Sequence, residues 1–196
     1  CQGQTISFAS SSTGTAAGAT YTWNFGNGSP TTASNPGPHA VVYNTAIAGQ
    51  SVSLTVVNPN GQQSTAVVNV LVQALPSSQI TLASSGNGFG TQLISGQTVF
   101  KKCTAAGATT TTFNFNTPTY PNVSQSFNWG DGSGSQTQTA IVGGQLSHTF
   151  PLGGFIVTHT LTSSNGCQTS TQYLVFNGAA PVLSVSGSGQ NTCLPF

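Results

Sequence analysis

Seven residues, Phe127-Asn128-Trp129-Gly130-Asp131-Gly132-Ser133, constrain this chain more than any other stretch, because the pattern occurs twice. The other copy is Trp23-Asn24-Phe25-Gly26-Asn27-Gly28-Ser29. In each copy two aromatic residues flank one asparagine, so in an extended strand both rings face the same side. A Gly-Asp-Gly or Gly-Asn-Gly follows, and glycine's access to positive φ lets the chain reverse there. An aromatic strand closed by a tight turn reads as the middle strand of a small β-sandwich. Other landmarks repeat in step. Asn60-Gly61 and Asn165-Gly166 stand at the same separation as Pro76 and Pro181, and the two aromatic turns stand one residue short of it. Alternating apolar runs precede both Asn-Gly corners: Val52, Leu54, Val56 in one, Phe155, Val157, His159, Leu161 in the other. Landmarks at one offset define a tandem duplication.

The 196-residue length suits two modules of about 100 residues each, within the usual domain range. Apolar residues make up 36% of the chain, below the roughly 45–50% of an average globular protein, so each core is expected to be thin. Weak hydrophobicity combined with high charge would imply disorder. Here charged residues are only 2%, and the apolar residues alternate as strands require. Lys101, Lys102 and Asp131 are the only charged side chains of these types. So little charge gives little mutual repulsion, and a surface of this kind tolerates close packing against copies of itself. No basic patch exists to neutralise phosphates, which excludes nucleic acid as a partner. No run approaches the roughly 20 apolar residues of a membrane-spanning helix.

The sequence predicts an all-β protein of two tandem immunoglobulin-like sandwiches lying end to end. Strands are expected near 5–9, 20–25, 40–43, 51–57 and 65–72, then near 79–82, 97–101, 111–115, 124–129, 137–142, 155–162 and 169–176. Val, Ile, Thr, Phe and Tyr dominate these segments, as pleated, half-buried surfaces favour. Turn clusters such as Asn35-Pro36-Gly37-Pro38 and Ser84-Ser85-Gly86-Asn87-Gly88 separate them. The expected division is residues 1–74 as a sandwich without a leader strand, 75–178 as a complete one, and 179–196 as a further leader or donor strand.

At these residues the chain resembles the PKD (polycystic kidney disease) domains. Their hallmark is an aromatic strand ending in a W-x-F-G-D-G-like turn, and it corresponds to Trp23, Phe25, Gly26, Asn27 and Gly28, and to Phe127, Trp129, Gly130, Asp131 and Gly132. A later Tyr-and-Gly strand corresponds to Tyr43, Gly49, Val52 and Leu54, and to Phe150, Gly153, Gly154, Phe155 and Val157. Asn60-Gly61 and Asn165-Gly166-Cys167 supply the corner. The first copy carries Asn27 where the family usually has Asp, and the second reverses the order of Trp and Phe. The Ser/Thr-rich style is similar to tandem repeats of bacterial, Bacteroidetes-type surface and gliding adhesins. The resemblance implies an extracellular sandwich with no catalytic, cofactor or metal site.

The residues themselves agree on chemistry. A Ser-His-acid nucleophile needs an acid, and Asp131 alone is present, inside a turn. Paired-carboxylate hydrolysis is impossible with one carboxylate, and calcium normally wants more oxygen ligands than this. His39, His148 and His159 lack Cys or acidic neighbours at metal-ligand spacing. His159 alternates with Val157 and Leu161 and reads as a strand residue with a satisfied ring. Asp131 reads either as a ligand contact or as a cap on its own turn. Asn27 can make the same turn bonds without charge, which favours the cap. Lys101-Lys102 reads as blunting an exposed strand edge, with a crosslink or binding spot as the alternative.

Four cysteines beside this fold point to an oxidising compartment. Cys103 and Cys167 share the second module and are expected to form a disulfide. Cys1 and Cys193 are then left for an intermolecular or inter-module bond, with the tail of one copy completing the first module of the next. The expected function is a structural, extracellular surface protein, a subunit or segment of a fibre or adhesin stalk. Its partners are copies of itself or neighbouring modules. The alternative is a carbohydrate- or protein-binding accessory that contacts surface polysaccharide.

Overall fold

A computed structural model describes residues 1–77, 79–104, 107–117, 123–138 and 144–179. Among them every regular element is a strand. The chain divides into two compact units, Cys1–Ser77 with Leu161–Thr169, and Ser78–Thr160 with Ser170–Phe196.

In the first unit β1 (Thr5–Phe8) pairs antiparallel with β4 (His39–Val42). Facing them is a four-stranded sheet in the order β3 (Thr32–Ala33), β2 (Thr20–Asn24), β5 (Ile47–Val57), β6 (Gln63–Val72). Alternation decides which side chains meet between the sheets. Trp23 and Phe25 point inward from the end of β2, and Val52 and Leu54 do so from β5, beside Val41, Tyr43 and Val72. Phe8 packs on Phe25 with ring centroids 5.5 Å apart.

The second unit repeats this plan. Its strands are β7 (Thr81–Leu82), β8 (Phe89–Ile94), β9 (Gln97–Thr104), β10 (Thr110–Thr117), β11 (Val123–Asn128), β12 (Ser135–Gln138), β13 (Gly144–Pro151), β14 (Gly153–Ser163) and β15 (Gln168–Ala179). One sheet runs β13-β10-β7 and the other β12-β11-β14-β15-β9-β8. The pair β10 and β13 reproduces β1 and β4 in register: Phe113 faces His148 as Ile6 faces Val41. Two additions distinguish this unit. Strand β7 lies on the far side of β10, and β9 runs parallel to β15 with Val99 opposite Leu174. Phe100 of β9 is fully enclosed, with Phe115 and Tyr173 at 5.4 Å and 5.5 Å.

Three sequence expectations change here. The first is the disulfide. The bond joins Cys1 to Cys167, with Cα atoms 5.6 Å apart, and Cys103 is free and exposed. Cys103 lies opposite Gly178 on β15, whereas Cys167 sits just before that strand begins. At about 3.3 Å per residue the two are separated by roughly 35 Å of strand, far beyond the roughly 7 Å that a disulfide can bridge. Cys1, engaged with Cys167, is not available for the expected bond to Cys193, which lies outside the described residues. Of the expected leader or donor strand over 179–196, residues 180–196 also lie outside them.

The second is the lysine pair. Strand β9 is not an edge, because β8 pairs with its outer side. Lys101 is exposed and donates to Gln92 Oε1 at 3.2 Å. Lys102 is buried, its Nζ bonded to the Asn87 carbonyl and 4.4 Å from the centroid of the Phe89 ring. The third is strand content. Strand β13 was not expected, although Leu146, His148 and Phe150 alternate there. Of the strand expected over 137–142, β12 includes only its first two positions, and 139–143 lie outside the described residues.

Trp129, only 2% exposed, stacks on Phe127 at 5.0 Å and on Phe115 at 5.9 Å. Replacing it with Ala is expected to cost about 3–5 kcal/mol. Denaturant unfolding should show this in the transition of the second unit, with that of the first unit in place.

Candidate functional site

The polar chemistry of the second unit gathers at its aromatic turn. Asn128, at the end of β11, turns its Oδ1 back to accept from the Gly130 N–H at 3.1 Å. Gly130 has φ 74°, and a Cβ there would stand 2.3 Å from the Ile156 carbonyl oxygen, so no other residue fits. Asp131 Oδ1 then accepts from both the N–H and the hydroxyl of Ser133, at 3.0 Å and 2.6 Å. Its Oδ2 takes Nε2 of His148 at 2.7 Å. The His148 ring in turn lies flat on Trp129, centroids 4.2 Å apart and planes 6° from parallel. Burial pushes the Asp131 carboxyl up, but hydrogen bonds from Ser133 and His148, with the histidine's charge, outweigh it and hold the group at about 2.

Serine, histidine and aspartate within bonding distance invite a catalytic reading, and the geometry rejects it. In a nucleophilic triad the two ring nitrogens face in different directions, one to the acid and one to the serine. Here Nε2 faces both Asp131 and Ser133, the latter at 3.4 Å, and the serine hydroxyl donates to the acid. The nitrogen nearest the hydroxyl is the one already held by the acid. The cluster fastens the turn to β13 and flattens an aromatic against it.

The first unit closes its turn without charge. Asn24 Oδ1 accepts from Gly26 at 2.8 Å, matching Asn128. Asn27 does not repeat the Asp131 cap expected of it. Its side chain makes no hydrogen bond among the described residues, and its N–H goes to Gln50 Oε1 at 3.2 Å. The position on β4 that corresponds to His148 is Val41, which lies so close to the turn that a Cβ on Gly28 would stand 2.4 Å from its Cγ1. Acid and imidazole are thus absent together. Tyr43 adds a bond of its own, donating its buried hydroxyl to the Phe25 carbonyl at 3.0 Å. The four motif rings, Trp23, Phe25, Phe127 and Trp129, are all buried, so none offers a face to a sugar.

Residues 1–72 match the PKD domain. That match includes the first aromatic turn, the Tyr43 strand and the Asn60-Gly61 corner, the residues on which the resemblance rested. No curated protein matches the chain. Among solved structures, the fibronectin(III)-like modules of Clostridium thermocellum CbhA are similar at 11% identity and a TM-score of 0.37, with 96% of this chain and 93% of that chain covered. PKD domains are typically non-catalytic modules of extracellular proteins.

A second polar site lies inside the core, and its network was not legible in the sequence. His159 takes the position on β14 that Leu54 holds on β5, and is 1% exposed with its ring stacked on Phe127 at 4.5 Å. Gln125 donates to Gln138 at 2.7 Å, so its own oxygen faces His159 and accepts from Nε2 at 3.0 Å. That leaves Nδ1 buried without a partner. A proton there would have no acceptor, and burial lowers the ring to about 4 from 6.5.

Two outcomes are expected in solution. The unfolded chain binds the His159 proton more readily than the native one. Stability of the second unit is therefore complete above the ordinary value of 6.5 and declines as pH falls from there to about 4. A His159→Phe variant should lack that slope in urea titrations at several pH values. Asp131 acts lower down. Its contribution is present above its ordinary 3.8 and is lost as pH falls through about 2. The stability gap between the native chain and Asp131→Asn should therefore close over that interval. As to the cysteines, non-reducing peptide mapping should find Cys1 joined to Cys167 and Cys103 alkylated as a thiol. In the chain-entropy model, losing a loop of this length costs about 5 kcal/mol.

Proposed function

We propose that this chain is a structural part of an extracellular surface protein, a subunit or segment of a fibre or adhesin stalk. The observation that carries the reading is the match of residues 1–72 to the PKD domain. The disulfide supports it, because such bonds persist in oxidising surroundings. The near-absence of charge supports association with like surfaces, since only 2% of residues are charged. No described helix is long and apolar enough to cross a membrane. Two sandwich modules built around buried aromatics, with a turn cluster that positions no nucleophile, favour a load-bearing role over a chemical one.

Self-association is the finer part of this proposal. Copies join head to tail by donating a strand, and with Cys1 bonded to Cys167 that junction does not use a Cys1–Cys193 link. The competing role, a carbohydrate-binding accessory, needs an exposed aromatic platform. Among the described residues the large exposed apolar side chains include one aromatic, Phe176. Electron microscopy of the concentrated chain should show filaments, and immobilised polysaccharides should not retain it. Monodisperse particles that bind polysaccharide would overturn the reading.

A further inference from the structure

The two units differ in how their sandwiches are closed at one side, and the difference marks an acceptor site. In the second unit, β7 and β9 close the gap between β10 and β15. Ile80, just before β7, is 3% exposed, belongs to the core and donates its N–H to the Tyr173 hydroxyl at 3.2 Å. Leu82 pairs with Phe115. The first unit has the counterparts of β10 and β15, which are β1 and β6, but among the described residues nothing pairs with their outer edges.

The consequence is visible in exposure. Val68 holds the repeat position of Tyr173, as its partner Val52 holds that of Val157. Tyr173 is 2% exposed, whereas Val68 is 52% and its neighbour Val67 63% exposed. A groove of about 330 Å³ opens between β1 and β6, lined by Phe8, Trp23, Val52, Leu54, Val67 and Val68. Its floor is part of the hydrophobic core, and its rim is an unpaired strand edge. Open edges of this kind are templates for another strand.

The repeat also indicates what fits. Pro76 and Pro181 stand at the separation that relates Val68 to Tyr173, so Val185 holds the repeat position of Ile80. Ile80 donates its N–H to Tyr173, and Val185 is therefore matched to Val68. The segment Pro181-Val182-Leu183-Ser184-Val185-Ser186 alternates Leu183 and Val185 with serines and carries no charge. It lies outside the described residues, and its place here is read from the repeat alone.

We propose that the Phe8–Val68 groove of the first unit accepts residues 181–187 of a second copy as an added strand. That strand pairs antiparallel with β1, as β7 pairs with β10, and Val185 takes beside Val68 the place that Ile80 holds beside Tyr173. Backbone bonds along β1 supply affinity, and Leu183 and Val185, which share the face toward the groove, supply register. The contact joins unlike surfaces of two identical chains, so it propagates rather than closing on itself. This inference rests on the self-association proposed above and names its acceptor.

The test uses the full chain with Cys103→Ser and Cys193→Ser, which leaves the Cys1–Cys167 bond in place. One preparation carries Val68→Cys and the other Val185→Cys. Mixed and mildly oxidised, they should give a dimer whose peptide map joins positions 68 and 185, and which reductant dissolves. Absence of that linked peptide overturns the proposal. In parallel, Val185→Lys and Val68→Lys should each weaken association by tenfold or more in sedimentation velocity. Val68 is half-exposed, so its substitution should leave melting unchanged. If filaments persist undiminished in Val185→Lys, the groove is overturned while the fibre reading stands. If the linked dimer forms but the native chain makes no filaments, the groove stands and the fibre reading falls.

Discussion

The structure depends on burying a pair of aromatic rings immediately before a tight turn. With 2% charged residues, ion pairs are scarce, and most of the stability must come from apolar burial and backbone pairing. In the first unit Trp23 and Phe25 stack 5.5 Å apart, and in the second Phe127 and Trp129 stack 5.0 Å apart. Each pair anchors the centre of a sandwich whose other core residues are mostly valine and phenylalanine. The turn must come at once, because the second ring is buried only if the chain leaves the sheet directly after it. Gly130, whose Cβ position is filled by the Ile156 carbonyl, shows how little room the reversal has.

Around this shared anchor the two units have diverged in matched sets rather than residue by residue. Asp131 and His148 in one correspond to Asn27 and Val41 in the other. Without His148 the Asp131 carboxylate would lack its partner, whereas His39, which meets Trp23 edge-on in the first unit, has the Asn35 carbonyl in place of an acid. His159 and Gln125 form a comparable set where the first unit has Leu54. The second unit thus has polar fastenings within its core. The first relies on the Tyr43 hydroxyl bond, the Trp23 Nε1–H bond to the Asn35 carbonyl, and side-chain acceptors from Asn24 and Gln50 at its turn.

The all-β sandwich class was legible because period-two alternation and the duplicated turn act locally. Strand β5 shows this in its buried Val52 and Leu54, and the aromatic turn shows it in both copies. Strand β13 was readable in principle from Leu146, His148 and Phe150, but the glycines before it masked the start. The disulfide was not legible. Pairing by module placed Cys103 with Cys167, yet parallel pairing of β9 with β15 carries Cys103 to the far end of the strand from Cys167. Register of that kind is a long-range property, and no local pattern encodes it. The lysine pair failed similarly, since whether β9 is an edge depends on the β8 hairpin, which a Gly-rich turn disguised. The His148 contact with Asp131 joins residues 17 positions apart, and only the packing of one sheet on the other brings them together.

The Cys1–Cys167 bond also sets where mechanical load would run. Tension applied to the backbone at Cys1 and to any point beyond Cys167 passes through the two sulfurs. The residues between them, separated by 166 positions in sequence, then lie in a closed covalent loop outside the path of the force. Neither aromatic turn nor any strand from β1 to β14 has to resist being unravelled while that bond is intact. Only β15 and the residues C-terminal to it would carry the pull directly. In reducing surroundings the same tension would be borne by the backbone pairing of every strand in turn, so the redox state of one bond decides whether the chain stretches or holds its length.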